Sequence, residues 1–312
     1  MSFFYALAPM DGITDMPFRL IVKKVFERYN KDKNKKILLF TEFVSSDGFV
    51  HNFDWVKNHL IFDRKEKPII CQIFWSDLYK LIYTAKEISE KYDFDGIDLN
   101  VGCPAPKIMR LWAGSALMIN KENTLNIIKN LSQTIKKPFS IKTRAGLNQE
   151  DKPKQKEFII KASDYCWLIS IHARTLKQGH SWEPDVDFVL DLKNKVNPNC
   201  KIIFNWGIDE AKLSDKWFME KMHKLDGIMI WQAAIGNPWI FVWINPTWDE
   251  KKEIILDHLM LSIEIKWEKR AIIEFRKFIW SYIKWVKNAS KYRAEFMKVD
   301  NLENFKKILD KI

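Results

Sequence analysis

The sequence predicts an α/β fold, a (β/α)8 TIM barrel followed by a small all-helical C-terminal domain. Short apolar segments typical of buried strands occur eight times, at residues 4–8, 37–43, 68–74, 94–99, 138–143, 167–172, 201–205 and 226–230. Amphipathic segments lie between them, for example at 76–92, 121–136, 151–164 and 209–224. Alternating strands and helices pair in parallel through right-handed crossovers, and eight such units close a barrel. An open doubly wound sheet is the alternative.

The strand signals end near Pro246, and helices are predicted at 249–269, 271–288 and 302–312. Because proline ends helices, we place the domain boundary there, with a barrel domain at 1–246 and a helical domain at 247–312.

The formal net charge of +11 comes from 51 basic and 40 acidic side chains. It favours a polyanionic partner, although a solvated lysine-rich surface gives the same count. The four cysteines stand far apart, which is typical of a reduced compartment. Neither a signal peptide nor a membrane-spanning segment is recognisable. We therefore expect a cytoplasmic protein with no membrane partner and no metal.

Polar residues follow the predicted strands at their carboxyl ends, where barrels build their active sites. In strand order they are Pro9 and Met10, Glu42, Gln72, Asn100-Val101-Gly102-Cys103-Pro104, Lys142 and Arg144, His172 and Arg174, and Asn205. Lys142 and Gln72 need partners in a low-dielectric site, and the pyrimidine edge of a flavin would supply them. Ordinary ion pairing across the barrel mouth is the alternative. His172 and Arg174 share one face, which suits an anion or a substrate, although a lone strand histidine is more often structural.

Loops after the seventh and eighth strands of a barrel commonly bind phosphate through backbone N–H groups. Here those loops contain Asn205-Trp206-Gly207 and Trp231-Gln232. Glycine lets a ligand approach the backbone, so Gly207 suits such a site and the two tryptophans do not.

Cys103 lies on a turn that is predicted to face the barrel mouth. A free cysteine is usually a small buried hydrophobe. A turn above a bound cofactor favours a role as acid or nucleophile instead.

Five segments together resemble the tRNA-dihydrouridine synthase family. They are the stretch from Ala8-Pro9-Met10 to Phe18-Arg19, Asn100-Val101-Gly102-Cys103-Pro104, Ile141-Lys142-Thr143-Arg144-Ala145-Gly146, Ile171-His172-Ala173-Arg174-Thr175 and Gly236-Asn237-Pro238-Trp239-Ile240-Phe241. The NxGCP turn and the IHxRT strand end are specific when they occur in this order, whereas either alone would be weak. The resemblance covers nearly the whole chain, including the C-terminal helices with Arg276, Lys277 and Tyr282.

The resemblance implies an enzyme that reduces the C5=C6 bond of uridine in tRNA, with FMN as cofactor and NADPH or NADH as reductant. It implies that Cys103 protonates C5 while reduced FMN delivers hydride to C6. Gln72, Lys142 and His172 are expected to hold the flavin, and Asn205, Gly207, Trp231 and Gln232 its phosphate. Pro9 and Met10 are also expected to contact FMN. Asn100, Arg144 and Arg174 are expected to contact the uridine or the RNA. The target base must leave its stack to reach the flavin, and the helical domain is expected to bind tRNA.

Tryptophan departs from the family pattern at six positions where glycine is expected: Trp75, Trp112, Trp182, Trp206, Trp231 and Trp285. The chain has 14 Trp and 10 Gly, whereas roughly 7% glycine would give about 22. One hypothesis is that the gene comes from a lineage that reads UGA as glycine, so that tryptophan in the translated sequence replaces glycine. The rival hypothesis is a divergent protein that has lost FMN. Gln232 is a further departure, because arginine is expected there.

Two other functions stay open. A different FMN barrel oxidoreductase acting on a small molecule, such as a dihydroorotate dehydrogenase-like enzyme, would share the loops and the lysine but would leave the basic helical tail unexplained. An inactive barrel that binds RNA would be favoured if the tryptophans are genuine.

Overall fold

The computed structural model describes residues 3–179 and 182–312. Within these ranges the strands are β1 (Phe3–Leu7), β2 (Lys35–Phe40), β3 (Val44–Ser45), β4 (Ile69–Phe74), β5 (Gly96–Asn100), β6 (Phe139–Arg144), β7 (Leu168–His172), β8 (Lys201–Asn205) and β9 (Gly227–Ile230). All eight predicted strands are present. The second one ends at Phe40 instead of residue 43, and β3 is an additional short strand.

Eight of these strands form a closed parallel barrel. The order around the ring is β2, β1, β9, β8, β7, β6, β5 and β4, and β2 pairs again with β4. That closing contact joins Leu39 to Ile69 and Phe40 to Ile70. β3 pairs with the later part of β4, Val44 with Ile73 and Ser45 with Phe74, so it continues the edge that β2 begins. The closed ring confirms the predicted barrel and excludes the open sheet.

The barrel interior changes from apolar to polar along the strands. Its buried apolar part consists of Phe4, Ala6, Ala8, Leu38, Phe40, Ile70, Leu168, Ile203 and Met229. Side chains of a strand alternate between its two faces, so positions two apart point to the same side. Gln72 follows Ile70 by two, Asn205 follows Ile203 by two, and His172 follows Leu168 by four. The face that forms the core therefore also presents polar groups at the carboxyl ends.

The helices are α1 (Met16–Tyr29), α2 (Ser46–His51), α3 (Phe53–Val56), α4 (Leu78–Lys91), α5 (Pro106–Met109), α6 (Lys121–Thr134), α7 (Lys152–Ala162), α8 (Val186–Lys193), α9 (Glu210–Ser214), α10 (Lys216–Met222), α11 (Trp248–Lys266), α12 (Glu268–Tyr282), α13 (Ala289–Phe296) and α14 (Leu302–Leu309). No described helix combines the length and the apolar character needed to cross a membrane.

Some helix predictions were wrong in extent. The helix predicted at 209–224 is divided into α9 and α10, because Asp215 is extended and its side chain accepts the N–H groups of Trp217 and Phe218 as a cap. The helix predicted at 271–288 ends at Tyr282, and α13 follows a left-handed Asn288 with φ 60°. The helix predicted at 249–269 ends at Lys266.

The chain divides into two compact units. The first comprises Met1–Asp15 and Asp32–Trp231 and contains the barrel strands. The second comprises Met16–Lys31 and Gln232–Ile312. In this second unit the ring of Phe18 on α1 lies 5.5 Å from that of His258 on α11 and 5.0 Å from that of Phe278 on α12. The domain boundary at residue 246 stays a prediction.

Candidate active site at the carboxyl ends of the strands

The strand register brings five of the predicted site residues to one end of the barrel. Asn100 on β5 is paired with Lys142 on β6. One step further along, Arg144 on β6 is paired with His172 on β7, and His172 with Asn205 on β8. These residues therefore lie at the carboxyl ends of four neighbouring strands, while their individual roles stay predictions.

A buried chain of hydrogen bonds crosses β4, β5 and β6. Asp98 accepts from Ser140 Oγ at 2.5 Å and from Gln72 Nε2 at 2.6 Å. The amide of Asn100 then donates to Gln72 Oε1 at 3.0 Å. All four side chains are buried. Since both ends of the Gln72 amide are fixed in this way, its predicted contact with a flavin would use the remaining N–H or lone pair.

Asp98 is the only carboxyl group in this network of four hydrogen-bonded side chains. Burial raises the pKa of Asp98 to about 6, although the hydrogen bonds from Ser140 and Gln72 and the positive charge of Lys142 oppose the shift. A buried carboxylate is unfavourable unless such partners compensate for lost hydration. Ser140 and Gln72 therefore hold the Asp98 side chain in place and partly offset the cost of its burial.

The turn that carries Cys103 is held by the side chain of Asn100. Asn100 Oδ1 accepts the backbone N–H of Gly102 at 3.1 Å and that of Cys103 at 2.9 Å. The carbonyl of Cys103 accepts the N–H of Ser115 at 2.9 Å. At Gly114 φ is +60°, and a Cβ there would lie 2.7 Å from that carbonyl oxygen, so glycine is required. The thiol of Cys103 remains partly exposed.

Three cationic side chains lie near the carboxyl ends of β6 and β7: Lys142 and Arg144 within β6, and Arg174 just after β7. Arg144 Nε donates to the carbonyl of Gly102 at 2.8 Å, and Arg174 Nε donates to the carbonyl of Trp182. The Nη1 atom of each arginine is buried without a hydrogen-bond partner among the described residues. Burial, with the charge of Arg144, lowers the pKa of Lys142 to about 8, and burial lowers that of Arg144 to about 10. An anionic ligand would stabilise all three cations.

Two indoles lie at the ends of β8 and β9. The ring of Trp206 is stacked on the imidazole of His172, with centroids 4.3 Å apart and planes 13° apart. The ring of Trp231 lies 4.0 Å from that of Trp206. The guanidinium carbon of Arg174 is 5.6 Å from the Trp206 ring centre. These indoles belong to the two loops that are predicted to bind phosphate.

The other predicted cofactor residues are in several places. Pro9 and Met10 follow β1, and Met10 is buried. Gly207 has φ +68°, and a Cβ there would lie 2.7 Å from Pro184 Cγ, so this position needs glycine. Gln232 is exposed and belongs to the second unit. Their contacts with FMN stay predictions.

One group of described side chains is spaced to hold a cation. The ligand atoms of Asp11, Glu42 and His59 all lie within 4.8 Å of one another. Glu42 Oε1 accepts the N–H of Gly12 at 2.6 Å. This carboxylate therefore already fixes the loop that follows β1.

The residues fit an anionic flavin at one part of the rim and fail to fit it at another. Lys142 and the two buried Nη1 atoms of Arg144 and Arg174 suit a ligand with negative charge and acceptor oxygens. Trp206 and Trp231 do not suit a phosphate that binds their loop backbone, because their bulk keeps a ligand away from the N–H groups. The disagreement is confined to the phosphate end.

The sequence analysis missed Asp98 and Ser140. Asp98 lies two positions before Asn100 in a strand segment that is otherwise apolar, so a period of two places both on the inward face. A charged residue at such a position was a usable signal. Its pairing with Ser140 depends on the register between β5 and β6, which a single sequence does not reveal.

A closed parallel barrel with a cysteine turn and buried cations at its carboxyl rim places the chain in the class of barrel proteins whose site lies at the strand ends. A family model described as dihydrouridine synthase (Dus) matches residues 6–312. The chain therefore belongs to the dihydrouridine synthase family of flavin-dependent oxidoreductases. The resemblance found in the sequence is confirmed.

Bacterial relatives are similar over nearly the full length. A probable tRNA-dihydrouridine synthase of Staphylococcus aureus (strain COL) is 29% identical over 317 residues, covering 98% of this chain and 92% of the relative. A probable tRNA-dihydrouridine synthase 2 of Bacillus subtilis (strain 168) is 28% identical over 318 residues, covering 98% and 93%. A solved structure of an NCR variant from Zymomonas mobilis matches 78% of this chain and 91% of that chain at 13% identity, with a TM-score of 0.48.

Proposed function

We propose that this protein reduces the C5=C6 bond of uridines in tRNA, with FMN as its cofactor and NADPH or NADH as reductant. Family membership supports the reaction. The observation that carries the proposal is the braced Cys103 turn beside Lys142 and Arg144. When bound, FMN supplies the hydride that adds to C6, and the nicotinamide supplies its electrons.

Cys103 donates the proton that adds to C5, so hydride and proton together saturate the double bond. A negative charge on Cys103 raises the pKa of Lys142 and of Arg144. Lys142 and Arg144 therefore lie close enough to the sulfur for their charges to interact with it. Solvent then returns a proton to the sulfur. Asn100 acts as a positioning residue, since it fixes the backbone on both sides of Gly102.

The remaining residues divide between cofactor and base. Lys142, His172 and Gln72 hold the flavin ring together with Pro9 and Met10. Asn205, Gly207 and the turn at Trp231 and Gln232 hold the phosphate. Arg144 and Arg174 contact the flipped uridine or its backbone, because each has a buried Nη1 atom available for an acceptor oxygen.

A basic stretch in the second unit supports tRNA as the partner. Residues 276–294 contain six cationic side chains and no carboxylate: Arg276, Lys277, Lys284, Lys287, Lys291 and Arg293. Lys284, Lys287 and Lys291 are exposed. The ammonium of Lys284 lies 4.8 Å from the ring centre of Trp285, itself exposed. Such cations contact phosphates and release counterions on binding. With tRNA and NADPH or NADH as substrates, the proposed reaction takes place in the cytoplasm.

Complementation tests the proposed function directly. The gene is expressed in a bacterial strain that lacks its own dihydrouridine synthases, and the nucleosides of its total tRNA are measured by mass spectrometry. Versions with tryptophan and versions with glycine at positions 206 and 231 are tested side by side, and we expect dihydrouridine to reappear with the glycine version at least. Absence of dihydrouridine with both versions, each present as folded protein, would refute the proposal.

The stacking of Trp206 on His172 favours a second candidate, an inactive barrel that binds RNA. This candidate predicts a colourless protein that retains tRNA at low salt and releases it at high salt. A purified yellow protein would exclude it.

A further inference from the structure

Four tryptophans have a backbone conformation that residues with a Cβ rarely adopt. Among the described residues other than glycine, positive φ occurs at Asn288 and at Trp112 (56°), Trp206 (95°), Trp243 (57°) and Trp267 (64°). A positive φ is uncommon for such residues and an outlier for bulky ones. Asparagine tolerates it, and glycine adopts it readily. Tryptophan thus stands at four positions where glycine is the default residue.

Trp112 occupies the glycine position of a Schellman motif. Its N–H donates to the carbonyl of Met109 at 3.0 Å, and the N–H of Ala113 donates to the carbonyl of Ile108 at 3.3 Å. These two hydrogen bonds define the motif. The residue that donates the first of them, here Trp112, is left-handed and is usually glycine. Ile108 and Ala113 also belong to one hydrophobic cluster, the contact that accompanies the motif.

Trp243 occupies the corresponding position of the simpler left-handed helix cap, and Trp267 makes the same backbone bond at the end of α11. The N–H of Trp243 donates to the carbonyl of Trp239 at 3.0 Å, and that of Trp267 to the carbonyl of Ile263 at 3.1 Å. This single bond defines the cap, and glycine dominates there. Trp267 goes further, since φ 64° with ψ 157° lies in a region that is essentially restricted to glycine.

Burial does not account for these conformations. Trp267 is 82% exposed and Trp112 is 67% exposed. An exposed indole buries little apolar surface, so packing does not offset the energetic cost of the positive φ. Trp206 is buried, but it is followed by Gly207 at φ +68°, so the loop after β8 needs two successive left-handed residues.

We infer that the protein made in its own cell carries glycine at positions 112, 206, 243 and 267. The family pattern independently gives glycine at 112 and 206, whereas 243 and 267 come from the backbone alone. Trp75, Trp182, Trp231 and Trp285 are not among the described residues with positive φ, so the backbone leaves them undecided. UGA codons read as glycine explain the whole set. For position 206 the consequence, access of a phosphate to the loop backbone, rests on the proposed function.

Peptide masses from the protein isolated from its own organism test the inference. We expect the mass of glycine at 112, 206, 243 and 267, with UGA at the corresponding codons. Trp239 is the internal control, because it is 1% exposed and its φ is not positive; it should have the mass of tryptophan and a UGG codon. Tryptophan found at any of the four positions overturns the inference for that position.

Thermal unfolding of recombinant variants gives a second test. Trp112→Gly and Trp267→Gly should each raise Tm by roughly 2 °C or more, because glycine relieves the left-handed backbone. Trp217→Gly is the matched control: Trp217 is 63% exposed but lies within α10, where glycine lowers Tm. Equal decreases in all three variants would contradict the inference. Neither test depends on uridine reduction, so failure here is distinguishable from failure of the proposed function.

Discussion

The imidazole of His172 and the indole of Trp206 are stacked, with ring centroids 4.3 Å apart. The histidine ends β7, and the tryptophan follows β8 with φ 95°. The pair thus joins a predicted flavin contact to a residue whose backbone conformation favours glycine. Under the proposed function, we expect cofactor binding at the barrel mouth to depend on this contact.

Removing the indoles should improve FMN binding. We expect the Trp206→Gly/Trp231→Gly variant to bind FMN at least about tenfold more tightly than the chain with both tryptophans, because backbone N–H groups then become accessible to the phosphate. Quenching of flavin fluorescence measures the Kd. The Trp217→Gly variant should leave the affinity unchanged, and equal affinity in all variants would argue against a phosphate site in these loops.

Lys142 should make FMN binding dependent on pH. The pKa of Lys142 in the free protein is about 8. Above that pH the amine is largely neutral, so binding of an anionic ligand must be accompanied by uptake of a proton by Lys142. The affinity of the glycine variant for FMN should therefore fall above pH 8, by at most about tenfold per pH unit. Lys142→Arg should flatten this dependence, because arginine stays charged. A steep profile that persists in the arginine variant would assign the titration to another group.

Asp98 should reduce stability as pH rises. Its folded pKa is about 6, against about 3.9 in an unfolded chain, so the folded state holds the extra proton between these values. Its contribution to stability is present below about pH 4 and is lost by about pH 6. Asp98→Asn should therefore gain about 2–3 kcal/mol relative to the parent between these pH values. Urea unfolding at both pH values measures this difference, which exposed Asp54→Asn should not show.

The exposed lysines of the second unit should contribute to tRNA affinity through phosphate contacts. Changing Lys284, Lys287 and Lys291 to glutamate should weaken binding and reduce the slope of log Kd against log salt by about 1 for each lysine. Filter binding across a salt series measures the slope. Lys129→Glu, on the exposed side of α6, is the control. An unchanged slope in the triple variant would exclude this surface.

The sequence predicted the strands well because each is a short buried apolar segment, and the strand ends then indicated where Lys142 and His172 would lie. It predicted the helix ends less well, since the break at Asp215 depends on a local cap. The hydrogen bonds from Ser140 and Gln72 to Asp98 were not predicted at all, because they depend on register between neighbouring strands. Local patterns reveal elements, whereas contacts across the sheet need the structure.

The central claim is that the Cys103 turn protonates uridine in tRNA. The direct measurement is dihydrouridine formed in an unmodified tRNA transcript with the Trp206→Gly/Trp231→Gly protein, FMN and NADPH or NADH. We predict product formation that drops about 100-fold or more in Cys103→Ala, while that variant still binds FMN and the Cys200→Ala control stays active. Product formation at the same rate in Cys103→Ala, or none in the FMN-loaded parent, would contradict the account.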